Sequence, residues 1–152
     1  MTDAPQRSTE DRLDEIESRF SIADLVARYG QGTYTPDIEV FMSVWHDDAE
    51  SVLPDGKQLR GSAAIRASRD PDGRIWKQGY HWLTNHTVRF ESKDRAVGRA
   101  DVFTLTEDWD GRVSFGGGTY HDVYERRDGQ WKFARREVRV RYLTKPTDIR
   151  MQ

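Results

Sequence analysis

The sequence predicts an α+β fold, in which N-terminal helices pack on a strongly curved, mainly antiparallel sheet that forms a cone-shaped barrel. Apolar residues recur at helical spacing up to about residue 45, which indicates helices in the first third of the chain. From residue 80, long extended segments alternate with turns rich in Asp and Gly, which is typical of antiparallel strands. The run Gly116 to Gly118 lies inside one of these segments and indicates a bend in the sheet.

Composition favours one globular domain. The chain has 152 residues, of which 36% are hydrophobic and 33% charged, and the domain is expected over residues 9–145, between tails at 1–8 and 146–152. The net charge of −2 lacks the basic footprint of nucleic-acid binders, and the lack of cysteine excludes disulfides and thiolate chemistry. No apolar run reaches the length of a membrane span and no signal-peptide pattern is present, so a cytoplasmic location is expected.

Three helices are expected in the N-terminal part of the chain. The first begins at Thr9, and the second begins at Ser21, where a capping-box pattern stands. The second is expected to end near Tyr34, after which Thr35 and Pro36 provide the N-cap and the first position of the third. The apolar stripe of the first helix consists of Leu13, Ile16 and Phe20.

A curved meander of strands is expected in the rest of the chain. A short hairpin over residues 50–60 precedes a short helix from Gly61 to Ile65 and a loop over residues 69–73. Such long strands require curvature and bulges, and a sheet curled over helices leaves a mouth that predicts an apolar pocket. The four long strands are expected over residues 80–91, 96–107, 113–126 and 130–143.

Several segments resemble the SnoaL-like branch of the NTF2-like superfamily. They are Ile22 to Tyr29, Trp45 to Ala49, Gly61 to Ile65, His81 with Asn85, Gly117 to Tyr120, and Tyr124 to Trp131. Within this branch, the chain is similar to the hexachlorocyclohexane dehydrochlorinases and to the scytalone and bile-acid dehydratases. The resemblance covers about residues 20–143. It implies chemistry on a hydrophobic small molecule, and dimers or trimers formed through the convex face of the sheet.

His81 is the candidate general base. The resemblance implies a catalytic histidine at the start of the meander, where His81 stands, and an imidazole can accept a proton at neutral pH. Strict alternation would place His81 and Val88 on opposite faces, so a bulge must lie between them if both point inward. The alternative is a structural histidine held by a hydrogen bond at the start of a strand.

Tyr34 and Asp101 complete the predicted catalytic group. The resemblance implies an aspartate paired with the histidine, but Tyr34 occupies its position, so that pair cannot form. Tyr34 is expected to donate a hydrogen bond to a substrate oxygen, or else to pack at the end of a helix. Asp101 lies in mid-strand, where it would either point inward and orient His81 or point outward into solvent.

Six further residues are expected to contact the substrate. Tyr29 matches a tyrosine that the resemblance to the dehydratases implies, although its ring also fits a core position. His121 and Arg139 each have a surface position as the alternative, because Arg139 belongs to an arginine-rich last strand. The full set is Tyr29, Trp45, Asn85, Phe103, His121 and Arg139.

Neither a metal nor a cofactor is expected. His46, Asp47 and Asp48 are adjacent in a turn, where side chains rarely converge on one ion, and the sequence has no nucleotide-binding glycine motif. The predicted function is a cofactor-independent dehydratase, dehydrohalogenase or isomerase that removes a proton from a hydrophobic substrate. The alternative is a non-catalytic small-molecule-binding or oligomerisation module, and a homodimer or homotrimer is expected in either case.

Overall fold

A computed structural model describes residues 7–35, 37–69 and 76–147. Pro36, most of the expected loop at 69–73 and most of both expected tails lie outside these residues. The elements are α1 (Thr9–Gly32), α2 (Ile38–Met42), β1 (Trp45–Val52), β2 (Gln58–Arg60), α3 (Ser62–Ala67), β3 (Gln78–Ser92), β4 (Arg95–Glu107), β5 (Val113–Arg127) and β6 (Gln130–Leu143).

The six strands form one curved sheet in the order β2-β1-β6-β5-β4-β3. The pairing of β1 with β6 is parallel, and the other four pairings are antiparallel. The predicted fold class and the four long strands are confirmed, with strand ends that differ from expectation by at most a few residues. The sheet remains open, because β2 and β3 form its two edges.

α1 replaces the two helices expected between Thr9 and Tyr34. Ser8 is its N-cap, since its side-chain Oγ accepts a hydrogen bond from the backbone N–H of Asp11 at 3.1 Å. Ser21 lies inside the helix, where its hydroxyl donates to the carbonyl oxygen of Glu17 at 2.9 Å. The capping-box interpretation of Ser21 is therefore wrong, because the same hydroxyl is satisfied by the preceding helical turn.

The two halves of α1 bury different amounts of apolar surface. Ile22, Leu25 and Val26 are buried against the sheet. The apolar stripe of the first half is 54%, 48% and 73% exposed at Leu13, Ile16 and Phe20. The sheet therefore covers the C-terminal half of the helix, and this half positions the residues that face the concave side.

The start of α2 and the start of β1 both differ from expectation. Asp37 is the N-cap of α2, and its carboxylate accepts a hydrogen bond from the backbone N–H of Glu39 at 2.9 Å. Trp45, His46 and the two aspartates after it belong to β1 and not to a helix or turn. No helix among the described residues is both long and apolar enough to cross a membrane.

Candidate active site

His81 lies on the concave face of the sheet, towards α1. Its ring stands edge-on to Tyr29 of α1, with the two ring centroids 6.5 Å apart. The pairing of β3 with β4 shifts register between Thr84 and Thr87. This bulge reverses the alternation of side chains, so Val88 also points inward and packs against the core. The bulge expected between His81 and Val88 is therefore confirmed.

The imidazole of His81 is half-buried and lies near two positive charges. Within the described part of the chain, its Nδ1 atom has no hydrogen-bond partner. Burial, and then the charges of Arg69 and Arg136, lower the pKa of His81 from 6.5 to about 4. The ring is therefore neutral at neutral pH, and one of its nitrogens carries a lone pair that can accept a proton.

Two glycines, Gly116 and Gly118, belong to the inward-facing rows of residues that cross the sheet next to His81. Residues paired directly across neighbouring strands lie on the same face of a sheet. One row across the sheet consists of His81, Thr104, Gly116 and Leu143. The next row consists of Leu83, Val102, Gly118 and Val140. Val140 and Leu143 are 46% and 61% exposed, so this end of the cone has an open apolar wall.

Two surface hollows lie elsewhere and do not match the predicted pocket. One, of about 350 Å³, lies between α1 and the β3–β4 turn, and the other, of about 400 Å³, lies beside the β5–β6 turn. Both are lined mainly by charged side chains. On the concave side, the exposed residues Val140 and Leu143 have the apolar character expected of the site.

A buried ion pair lies behind this open wall. Arg136 donates from Nε and Nη2 to the two carboxylate oxygens of Asp122, each at 2.8 Å, and both residues are at most 3% exposed. The guanidinium carbon lies 4.0 Å from the ring centroids of Tyr29 and Tyr120 and 4.2 Å from that of Phe133. Burial opposes the charge of Arg136, but Asp122 more than offsets this, and the pKa of Arg136 is raised.

His86 and Tyr124 extend the ion pair towards the surface. The Tyr124 hydroxyl donates to Asp122 Oδ2 at 2.8 Å, and His86 Nε2 lies 3.1 Å from the same hydroxyl oxygen. Because the phenolic proton is used on the carboxylate, Nε2 of His86 is the donor to Tyr124. The bulge in β3 makes this contact, since it turns His86 inward. His86 looked isolated in the sequence, but it ends a chain of buried polar groups.

Two tyrosine hydroxyls meet above the guanidinium of Arg136. The hydroxyl oxygens of Tyr29 and Tyr120 lie 3.3 Å apart, so one phenol donates to the other. Burial raises the pKa of Tyr120 well above 10, which keeps this phenol protonated. Trp45 also lies inside, with its ring centroid 5.9 Å from that of Tyr29. Of the six residues expected to contact substrate, Tyr29 and Trp45 are thus placed on the concave side.

Tyr34 does not join His81. α1 ends at Gly32, and the Tyr34 ring stacks on Tyr80 with ring centroids 5.0 Å apart. Tyr80 in turn stacks on Trp82, and both side chains lie on the opposite face of β3 from His81. The expected catalytic position of Tyr34 is wrong, because the turn after α1 carries its ring round the sheet edge formed by β3.

Asp101 lies on the convex face, between the buried residues Ala100 and Val102. Its carboxylate accepts hydrogen bonds from Asn85 Nδ2 at 2.9 Å and from Thr119 Oγ1 at 3.0 Å. These two hydrogen bonds are the main causes that lower the pKa of Asp101. The inward position expected for Asp101 is therefore wrong, and so is the substrate contact expected for Asn85, because strand alternation places both beyond the sheet from the site.

Three more expected contacts also lie on the convex face. Phe103 is 40% exposed and packs on Trp82, with ring centroids 5.8 Å apart. His121 alternates with two buried neighbours and so points away from them. Arg139 donates from Nε to Glu137 Oε1 at 2.7 Å, and its side chain is 64% exposed. The geometry supports the surface alternative for His121 and Arg139, and it places Phe103 away from the site that it was expected to line.

The histidine and aspartates at the start of β1 have separate partners. His46 Nε2 lies 2.9 Å from the carbonyl oxygen of Glu125, and Asp48 pairs with Arg127 at 2.7 Å. Across residues 7–35, 37–69 and 76–147, no three His, Cys, Asp or Glu side chains form a group that could hold a metal ion.

The sequence interpretation missed Arg136 and Asp122. Arg136 belongs to the arginine-rich last strand, and the register shift of the β5–β6 pairing between Val123 and Tyr124 turns it inward. A signal for Asp122 was present, because it alternates with Tyr120 and Tyr124 on one face of its strand. A carboxylate between two inward aromatic residues requires a buried cationic partner.

The fold and this site together define an open α+β cone with a half-buried histidine and a buried arginine on its concave side. Residues 14–137 match the SnoaL-like domain, and the chain belongs to this family. The gamma-hexachlorocyclohexane dehydrochlorinase of Sphingobium indicum is 30% identical over 134 residues, which cover 87% of this chain and 86% of that protein.

Solved structures agree with the family assignment. A type 2 hexachlorocyclohexane dehydrochlorinase has a TM-score of 0.84 at 28% identity, covering 93% of this chain and 97% of that chain. A type 3 enzyme from Novosphingobium barchaimii has a TM-score of 0.81 at 29% identity, covering 90% and 94%. A scytalone dehydratase-like structure from Novosphingobium aromaticivorans, at 23% identity and TM-score 0.78 with 95% and 94% covered, shares the fold. The named dehydrochlorinases are lyases, so the relatives support lyase-type catalysis in general.

The buried ion pair predicts that two Asp→Ala substitutions, one in the interior and one at the surface, lower the free energy of unfolding by very different amounts. Asp122→Ala leaves Arg136 as an uncompensated buried cation and is expected to lower the free energy of unfolding by about 3–5 kcal/mol. Asp48→Ala removes the exposed partner of Arg127 and is expected to cost less than about 1 kcal/mol. Urea denaturation of both variants measures this difference. Equal effects would show that the Asp122–Arg136 pair does not hold the interior together.

Proposed function

We propose that this chain is a cofactor-independent lyase that removes a proton from an apolar small molecule with His81 as the general base. The observation that carries the proposal is the position of His81, which is half-buried and neutral, with a covered Nδ1 atom that has no partner among the described residues. It lies in the same row across the sheet as Leu143, whose side chain is 61% exposed. A structural histidine would use both ring nitrogens in hydrogen bonds or stand in solvent.

The proposed reaction is a β-elimination. His81 takes a proton from a carbon atom, the electron pair of the C–H bond forms the new C=C bond, and the neighbouring carbon–halogen or carbon–oxygen bond breaks. The leaving group departs with its electron pair, and the proton stays on His81 until solvent removes it. A pKa of about 4 keeps the base unprotonated at neutral pH but also makes it weak, so the developing negative charge needs stabilisation.

The two paired tyrosines and Arg136 support that stabilisation. Because one of the Tyr29 and Tyr120 hydroxyls donates to the other, the accepting phenol keeps a proton for a leaving group. The guanidinium lies against both rings and is held there by Asp122. A fixed positive charge in a buried site favours an anion that forms during the reaction. In this proposal Tyr29 is the hydrogen-bond donor nearest His81, which takes the role first expected of Tyr34.

Chloride release from a small panel of compounds tests the proposal. The panel contains gamma-hexachlorocyclohexane, which a relative is named for, and 2-chlorocyclohexanecarboxylate, which also carries chlorine next to a C–H bond. His81→Ala is expected to slow chloride release by about 10²–10⁴-fold, because it removes the general base. His121→Ala removes a histidine from the convex face and is expected to leave the rate unchanged. Release that does not depend on His81, or no release from any compound, would contradict the proposal.

A second proposed function, assembly of copies of this chain, is favoured by an outer aromatic surface. This surface consists of Tyr80, Trp82, Phe103, Phe115 and Tyr142 on the convex face. Trp82, Phe103 and Tyr142 are 48%, 40% and 53% exposed, and the Tyr142 ring lies directly over Gly117. A contiguous exposed aromatic patch indicates an interaction site, and a second copy presents the same surface. Assembly through it leaves the concave site accessible.

A charged substitution in the outer aromatic surface tests assembly. Phe103→Glu is expected to convert a dimer or trimer to monomers, because the interface would have to bury an unpaired carboxylate. Light scattering after size-exclusion chromatography measures the mass. The control is Phe20→Glu, which places the same charge on a 73% exposed residue of α1 and is expected to leave the mass unchanged. A monomeric parent protein, or an unchanged mass in Phe103→Glu, would contradict assembly through this surface.

A further inference from the structure

The concave site contains more hydrogen-bond donors than acceptors. Arg136, Trp45 and His81 each pack on the ring of Tyr29, with distances to its centroid of 4.0 Å from the guanidinium carbon and 5.9 and 6.5 Å from the other two ring centroids. Each has a buried nitrogen without a partner among the described residues: Nη1 of Arg136, Nε1 of Trp45 and Nδ1 of His81. The guanidinium and indole nitrogens can only donate.

Among the residues that the structure describes, no carboxylate accepts a hydrogen bond from Nη1 of Arg136 or Nε1 of Trp45. Asp122 is the one acidic residue among the buried polar and charged side chains of the described residues. Its two oxygens already accept from Nε and Nη2 of Arg136 and from the hydroxyl of Tyr124. Asp101, the other candidate, is turned to the convex face. The charged side chains that act on His81 are Arg69 and Arg136, and both are positive.

We propose that the ligand of this site carries a carboxylate on an alicyclic or aromatic skeleton. This inference rests on the proposed function for the location of the site, and it names the substrate class. A neutral apolar molecule would leave the buried donors of Arg136 and Trp45 unsatisfied, and a cation could not accept hydrogen bonds from them. A carboxylate supplies a negative charge and lone pairs, and the apolar skeleton fits the open wall formed by Val140 and Leu143.

Arg136 allows only one direction of approach for such a group. Its faces are covered by aromatic rings, and one edge of its guanidinium is used on Asp122. The remaining donor, Nη1, lies at the other edge, where an acceptor must come in the plane of the group. Arg69 follows α3 and adds a second positive charge near the site. It lies close to the end of α1, where its Nη2 donates to the carbonyl oxygen of Thr33 at 2.9 Å. The preferred ligand therefore presents its carboxylate towards the interior and its skeleton towards the mouth.

A bound carboxylate also changes the base. Its negative charge offsets the arginines, so the pKa of His81 is expected to rise when the ligand binds. His81 would then become a stronger base in the complex than in the unliganded protein, because the substrate supplies the negative charge that no carboxylate side chain in the described residues supplies.

Matched acids and amides test the inference in the full-length protein. The probes are cyclohexanecarboxylate and benzoate, each compared with its primary amide, with binding measured by isothermal titration calorimetry. The acids are expected to bind about tenfold or more tightly than the amides, because the amides keep shape and size but lose the charge. Cyclohexanecarboxylate is also expected to raise the pKa of His81 by about one unit, as measured by NMR of its ring.

Substitutions of single arginines test which side chains make acids bind more tightly than amides. Arg136→Met and Arg69→Gln are each expected to reduce the preference for acids several-fold, and Arg69→Gln keeps the test valid if the buried Arg136→Met variant does not fold. Arg139→Gln removes an exposed arginine on the convex face and is expected to preserve the preference. Equal binding of acids and amides, no binding of either acid, or a preference that survives Arg69→Gln and any folded Arg136→Met would overturn the inference.

The outcomes separate this inference from the proposed function. His81→Ala is expected to keep the preference for acids while losing chloride release, because the arginines hold the charge. A preference for acids without His81-dependent chloride release would support the ligand class and remove the lyase. His81-dependent release with equal binding of acids and amides would support the lyase and overturn the ligand class.

Discussion

The buried ion pair of Arg136 and Asp122 is the constraint on which the concave side of this protein depends. Removing two charges from water is costly, and the pair is stable because its geometry is bidentate and both oxygens of Asp122 have donors. The rings of Tyr29 and Tyr120 cover the guanidinium and add cation–π attraction. These contacts connect α1 to β5 and β6, so the same group that stabilises the cone also fixes the tyrosine hydroxyls.

The ion pair also determines the chemical character of the site. Because Asp122 is fully used by Arg136 and Tyr124, it is not available to stabilise a protonated His81. The histidine therefore stays neutral, and the nearby positive charges favour an anion over a cation. In a related enzyme with an aspartate beside its histidine, the carboxylate would raise the pKa of the histidine and make it a stronger base before any ligand binds. In this chain, a weak base faces positive charges, and in our proposal the ligand provides the missing negative charge.

Local patterns in the sequence predicted most of the fold and part of the site. The long strands were predictable because alternation and turn residues are local, and the bulge followed from the conflict between His81 and Val88. Ser21 was misleading because its hydroxyl satisfies an N-cap and a helix interior equally well. Arg136 and Tyr34 could not be placed, because a register shift in one case and the path of a turn in the other depend on packing between distant elements.

The most direct test of this account is the pKa of His81 in the unliganded protein, measured by NMR titration of its ring signals. A value of about 4 is predicted, because the ring is largely removed from water beside Arg69 and Arg136 and has no carboxylate partner among the described residues. A value at or above the ordinary 6.5 would mean that the ring is solvated or paired with an acid. The neutral base in a positively charged site would then be contradicted.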